Sequence, residues 1–454
     1  MKSIYLLKYS VKGIKSLDEL VTLSFYKKTI TKDMDAHGYN IKGIYGMNGS
    51  GKSGIMSSMQ ILKNILIDPN YLSNPISQNS LDAVINKKLG ELYIEAEYIV
   101  EFEKVLKLFR YEVSLAKNKL DMYTIRNEQL SVKTATSKND AINIVYRVDE
   151  GTLDLKCVNL DAALDKIIIE KTANLLDKSS LSSLFAERVL EKVVTNEQIN
   201  FMGISLLMLL SLGKRIHVYM AEEDTHIPFI ISRLLKANSV IEVNNSEIDA
   251  LMGEALRMDV EDMNMLSVEK VYVAKDNYET FEKEIRGLYE FLHIFKSDLE
   301  NVEIEKKEDG DKYICELVMT YDGYRVNAEF ESTGIKKLIK LYAYIKEMKR
   351  GGIVFIDEFD ANLHDVYLCA LLEYLMEYGE GQLCFTTHNI GPMDILRRNN
   401  NSIDFLSVNH RIYSWKKSGN YSPANLYRNG MIEGSPFNVD SIDFIDAFGG
   451  QEDD

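Results

Sequence analysis

Gly46-Met47-Asn48-Gly49-Ser50-Gly51-Lys52-Ser53 is a complete G-x-x-x-x-G-K-[ST] phosphate loop, and it decides the fold. Ahead of it, Asn40-Ile41-Lys42-Gly43-Ile44-Tyr45 is short and β-branched, the pattern of a strand. Behind it, Gly54 to Leu66 places apolar residues at helical spacing. The strand–loop–helix context that gives this motif its meaning is therefore present. Glycines let the backbone curl so that successive N–H groups point inward at a phosphate. The following helix N-terminus adds partial positive charge. Gly46, Asn48, Gly49, Ser50 and Gly51 are the candidate nucleotide-binding positions. Lys52 is expected to reach the β- and γ-phosphates, and the Ser53 hydroxyl to ligate Mg²⁺.

A second stretch completes such a site. Gly352-Ile353-Val354-Phe355-Ile356-Asp357-Glu358 is an apolar run ending in two carboxylates. A run apolar on both faces reads as a central parallel strand. Its C-terminal end is where ligands bind in open α/β sheets. Asp357 is placed to hold Mg²⁺ through water, and Glu358 to orient and deprotonate an attacking water. Gln382-Leu383-Cys384-Phe385-Thr386-Thr387-His388 is another buried strand, one helix-sized gap later. That β-α-β spacing sets His388 on or beside the neighbouring strand, in reach of a γ-phosphate.

The rest of the chain frames these two stretches. Residues 3–26 read as two strands and 27–39 as a loop, while 71–82 is a polar connector containing Gln78. Residues 90–133 carry strand patterning that suits a meander. From 160 to 298 helical periodicity dominates, without a sustained heptad. Strands return at 302–318 and 324–330, the latter entered through Asp322-Gly323, and a helix follows over 334–349. The expected organisation is a head built from residues 1–133 and 301–454, with a mostly helical insertion over 134–300.

Totals bound what such a chain can be. Its 454 residues allow two or three domains, or one large domain with an insertion. Hydrophobic residues at 46% and charged residues at 27% are the balance of a globular protein with a sizeable core. The net charge of −16 counts against a uniform nucleic-acid coat. Cys157, Cys315, Cys369 and Cys384 have no metal-ligand spacing and read as thiols in a reducing cytosol. No secretory leader is expected, because the N-terminus runs straight into a mixed polar and apolar strand. The longest apolar run, Ile204 to Leu212, is too short to span a bilayer.

The order Gly46–Ser53, Glu331-Ser332-Thr333-Gly334-Ile335-Lys336-Lys337, Phe355-Ile356-Asp357-Glu358-Phe359-Asp360-Ala361-Asn362-Leu363-His364 and Thr386-Thr387-His388-Asn389 resembles an ABC-type ATPase. Within the branch shared by SMC proteins, RecF and OLD-like ATPases, it is most similar to the stand-alone AAA-type ATPases of bacterial anti-phage and abortive-infection systems. The resemblance implies an α/β P-loop head with an N-terminal antiparallel β meander, and a helical insertion between Walker A and the signature motif. It implies ATP and Mg²⁺ as ligands. It matches Gly46, Asn48, Gly49, Gly51, Lys52 and Ser53 to Walker A, and Asp357 and Glu358 to Walker B with Glu358 as general base. Ser332 and Gly334 match the signature that closes over a partner subunit's γ-phosphate. Asp360 and Asn362 match the loop linking two sites, and His388 the switch histidine. A head-to-head dimer sandwiching two ATPs is implied, along with a separate effector and a phage trigger or DNA.

Two departures stand out. The signature is Ser-Thr-Gly without the fuller Leu-Ser-Gly-Gly pattern, and Gln78 is the candidate Mg²⁺-sensing glutamine, with a surface residue as its alternative. Two rival functions are a RecF-like clamp on duplex DNA and an assembly platform locked by ATP. Ile216 to Asp224 faintly resembles the start of a Toprim nuclease, but an acidic loop after a strand is the better reading.

Overall fold

In the computed structural model, the structure describes residues 4–31, 34–102, 104–137, 141–159, 162–190, 199–220, 266–399, 401–416 and 421–435. Strands β1 (Tyr5–Lys12) and β2 (Val21–Ser24) form an antiparallel pair, and β3 (Ile41–Tyr45) feeds the phosphate loop and α1 (Lys52–Ile67). Helix α2 (Pro75–Val84) precedes the meander β4 (Glu91–Phe102), β5 (Val105–Lys117), β6 (Tyr123–Thr134), β7 (Asn143–Asp149) and β8 (Thr152–Leu153). These strands make one antiparallel sheet in the order β2-β1-β4-β5-β6-β7-β8. Among the described residues, helices α3 (Ala163–Thr172), α4 (Leu181–Arg188) and α5 (Phe201–Arg215) follow, and then β9 (Ile216–Tyr219).

After β10 (Val271–Ala274) and α6 (Tyr278–Phe295) come β11 (Leu299–Asp309), β12 (Lys312–Tyr321) and β13 (Tyr324–Asn327). Strands β11 and β12 form a long hairpin. Strands β10 and β13 share the other edge of β12, at its start and its end respectively. The chain closes with α7 (Thr333–Lys349), β14 (Ile353–Ile356), α8 (Asp365–Tyr378), β15 (Gln382–Thr386), α9 (Met393–Leu396), β16 (Ile403–Leu406), β17 (Ile412–Ser414) and α10 (Pro423–Arg428).

The central sheet runs β17-β16-β3-β15-β14-β9. All of its strands but β17 are parallel. Strands β3, β14, β15 and β16 are buried along their whole length, as their largely apolar sequence requires. Ile353 and Phe355 enter the core shared with α1, α4, α5 and the antiparallel sheet. Val354 and Ile356 enter the core under α7, α8, α9 and α10. A third core lies between the β10–β13 sheet, α6 and one side of α7. On β3, Lys42 is buried against Asp404 of β16 at 2.8 Å. Helix α1 is buried nearly all round, Gln60, Lys63 and Asn64 included. The phosphate loop at its head therefore sits between two sheets.

Two expectations are corrected. The described residues of 134–300 are not set apart from the head: β7 and β8 extend the antiparallel sheet, β9 pairs with β14 as an edge of the central sheet, and α4 and α5 pack in the core around α1. A four-residue strand such as β9 leaves no period to read in the sequence. Over 302–318 the chain forms the two strands β11 and β12, and Gly310 at φ 61 turns it between Asp309 and Lys312, inside the charged run Lys306 to Lys312. The polar connector holds α2, opened by Pro75 at its first turn and by Asn74, whose side chain accepts from the Ile76 N–H. The acidic residues Glu222, Glu223 and Asp224 lie outside the described residues. Among the described residues no helix is long and apolar enough to cross a membrane.

Candidate functional site

The phosphate loop leaves β3 at its C-terminal end, where parallel strands aim their ligand sites. Gly49 and Gly51 have φ of 79° and 106°, a region side chains rarely enter. Gly51 also faces Leu17, whose Cδ2 would stand 2.2 Å from an added Cβ. An added Cβ on Gly46 would meet the Leu406 carbonyl oxygen at 2.5 Å. Asn48 and Gly49 are exposed at the crown of the loop, while Ser50 is buried. The Ser50 hydroxyl has no hydrogen-bond partner. Ser53 stands in the first turn of α1.

Lys52 is folded across this loop. Its ammonium donates to the Gly46 carbonyl at 2.8 Å and the Met47 carbonyl at 3.0 Å. Burial draws its pKa down, and Asp357, Glu358 and Asp360 draw it back up. The same three carboxylates act on His388, whose pKa burial and Lys52 push below the usual imidazole value. One electrostatic neighbourhood thus joins the loop lysine, the carboxylates after β14 and the histidine after β15. The imidazole is neutral at pH 7 and exposed to whatever lies over the loop.

Asp357 is buried at the end of β14. Its Oδ1 accepts from the Thr386 hydroxyl at 2.5 Å, while its Oδ2 is buried without a partner. An orphaned carboxylate oxygen beside a lysine is costly on its own, and it fits a cation. The Thr386 oxygen also accepts from the Glu358 N–H at 2.8 Å. Glu358 itself sits at φ 47, in the left-handed region. A non-glycine residue there is strained and needs its neighbours to hold it. Thr386 holds its N–H; its carbonyl is taken by Lys337 of α7 at 2.5 Å.

Lys337 and Thr386 hold the backbone around Glu358, and the sequence reading assigned neither a role. Thr386 stood within the quoted Thr386-Thr387-His388-Asn389 run without being singled out. Lys337 did give a signal. It shares helical spacing with Leu341, Ile345 and Met348, which line a core, and a lysine on an apolar stripe is a flag.

Ser332 caps α7, its hydroxyl accepting from the Ile335 N–H at 3.4 Å. Ser332 and Gly334 line a pocket of about 450 Å³ with Asn362, Leu363 and His364. The signature and the Asp360–Asn362 loop therefore adjoin, as the Gly334 backbone near the Asn362 carbonyl also shows. Gln78 is corrected. It lies on α2, where its Nε2 donates to the Leu72 and Tyr123 carbonyls and its Oε1 accepts from the Tyr123 N–H. The amide is committed to tying α2 to β6, so its oxygen is engaged by backbone rather than by a metal.

A family model described as "AAA domain, putative AbiEii toxin, Type IV TA system" matches residues 242–394. The matched span includes Ser332, Gly334, Asp357, Glu358 and His388, and it supports an ATPase of the AAA/ABC type. No curated protein matches the chain.

Proposed function

We propose that this chain is a Mg²⁺-dependent ATP hydrolase of ABC type, acting as the sensor or scaffold subunit of a bacterial anti-phage system and controlling a separate effector. The observation that carries the ATPase reading is the convergence of Lys52, Asp357, Glu358 and His388 on the phosphate loop, with the orphaned Asp357 Oδ2 among them. Support for the defence context is the description of the matching family, which names a toxin–antitoxin system.

Ser53 and Asp357 are the side chains that would hold Mg²⁺. Among the described residues no three His, Cys, Asp or Glu side chains cluster as a metal cage, so the donor set suits a cation shared with phosphate oxygens. Such a cation, when bound, neutralises charge on the β- and γ-phosphates. The loop N–H groups and Lys52 bind and orient the phosphates. Glu358 accepts the proton of the attacking water, in a backbone pose fixed before the substrate arrives. Neutral His388 supplies a hydrogen bond at the γ-phosphate. Ser332 and Gly334 act on a second copy's nucleotide, so hydrolysis awaits the closure of two heads.

The test is Glu358→Gln against wild type. We expect retained Mg-ATP affinity, hydrolysis slowed at least about 10²-fold, and ATP-dependent assembly into multiples of the 51.9 kDa chain. A wild-type rate in Glu358→Gln overturns the assignment of the base. A monomer with Mg-ATP overturns the shared site. Co-purification of a second polypeptide with the ATP-locked form supports the effector, and an assembly free of any partner when expressed with its neighbouring genes counts against it.

A further inference from the structure

Lys337 makes an unusual set of contacts. Its ammonium is buried and donates to three backbone carbonyls of one turn: Glu358 at 2.5 Å, Ala361 at 2.8 Å and Phe359 at 3.3 Å. An ammonium has three N–H donors, so this turn uses all of them. Burial lowers the Lys337 pKa to about 8, opposed by Asp360, Glu358 and Asp357, so the side chain is charged at neutral pH.

The turn it grips is the one that sets Glu358. The Ala361 N–H returns to the Glu358 carbonyl at 3.1 Å, and Leu363 N–H to the Asp360 carbonyl at 3.0 Å. Thr386 holds the other end, accepting from the Glu358 N–H and, through its carbonyl, from the Phe359 N–H at 3.0 Å. With φ at 47, Glu358 keeps this backbone only while both sides are held. A second contact joins the same two elements: an added Cβ on Gly334 would stand 2.9 Å from the Asn362 carbonyl oxygen. The first two turns of α7 thus meet the Glu358–Asn362 turn at two places, one polar and one steric.

Resting on the ATPase reading above, we infer that Lys337 is a positioning residue: it fixes the backbone that aims the Glu358 carboxylate, and it ties that aim to the helix whose N-terminus carries Ser332 and Gly334. A shift of α7 when its N-terminus engages a nucleotide is then felt at the base, with no side chain of α7 touching the reacting atoms. The lysine is suited to this as a flexible stem bearing three donors. Methionine has similar length and none.

The test compares wild type, Lys337→Met, Glu358→Gln and the double variant. Three quantities are read: the dissociation constant of a fluorescent ATP analogue, kcat for ATP, and backbone hydrogen exchange over 358–363 without nucleotide. In Lys337→Met we expect kcat to fall at least about tenfold while the dissociation constant stays within about threefold. Exchange at Phe359, Ala361 and Leu363 should quicken. On the Glu358→Gln background Lys337→Met should add little, since both act through one carboxylate. A kcat within about twofold of wild type, unchanged exchange, or a full additive loss in the double variant overturns the inference. Should Lys337→Met fail to fold, Lys337→Gln, which keeps donors for one carbonyl and loses the others, is read by the same criteria. If Glu358→Gln hydrolyses ATP at the wild-type rate, the assignment of Glu358 as base fails instead, and hydrogen exchange still decides whether Lys337 holds the turn.

Discussion

Lys63 sits in the middle of α1 with its ammonium buried, and burial holds its pKa at about 8 against an ordinary 10.5, with Glu347 pulling the other way. Lys337 is lowered to about 8 as well. The folded pKa lies below the unfolded one. Between about pH 8 and about pH 10 the unfolded chain therefore binds protons that the native chain does not, and stability rises with pH. Denaturant midpoints at about pH 8 and about pH 9.5 should show a gain on the order of 2 kcal/mol for each lysine, and Lys63→Met should remove its share. A flat profile in wild type would sink this account. Above the ordinary tyrosine pKa of 10.0 the slope turns down, because burial keeps Tyr9 and Tyr71 protonated in the native state. At this scale the sequence was legible where chemistry has a fixed spacing. The phosphate loop, Asp357, Glu358 and His388 are read from motif and order. Lys337 and Thr386 act on backbone groups remote in sequence, and such partners leave no spacing behind.

The loop between β1 and β2 is the floor of the phosphate loop. Gly13 N–H donates to the Leu17 carbonyl at 2.8 Å, closing a tight turn. Leu17 then packs, fully buried, beneath Gly51, and the Ser16 hydroxyl donates to the Gly49 carbonyl at 3.3 Å. Leu17→Ala should cost about 2–5 kcal/mol of stability through the cavity it leaves. It should also raise the nucleotide dissociation constant by roughly tenfold, about 1.4 kcal/mol, because the loop loses its support. Unchanged affinity in a folded variant would show that the loop holds its shape alone. Elements were legible where period and length agree: the meander, β14, α8 and β15 stand where alternation and helical spacing put them. The charged run Lys306 to Lys312 reads as a turn, and the β11–β12 hairpin does turn within it, at Gly310-Asp311. Helix α2 was missed because its exposed face is polar, although Asn74-Pro75 marks its start.

At the scale of the molecule, the stretch read as an insertion is woven through the fold. Leu206, Leu207, Leu209 and Leu210 of α5 are buried in the core that also holds α1 and the antiparallel sheet, and β9 closes one edge of the central sheet. Which strand pairs with which is decided by contacts far apart in sequence, and periodicity within a segment is silent on that. Replacing residues 163–215 with a short flexible linker should abolish both the cooperative melt and nucleotide binding. A soluble product that melts cooperatively and binds ATP would restore the insertion as a separate unit. The central sheet has a further consequence, in time rather than space. Strand β3 is flanked by β15 and β16, and the Lys42 ammonium meets Asp404 across 362 residues. At about 5–20 residues per second on the ribosome, β3 waits on the order of tens of seconds for its neighbours. During that wait Ile41, Ile44 and Tyr45 have no sheet to enter, and the phosphate loop has no neighbouring strand to set it. The surroundings of the phosphate loop are therefore among the last parts of the molecule to form during synthesis.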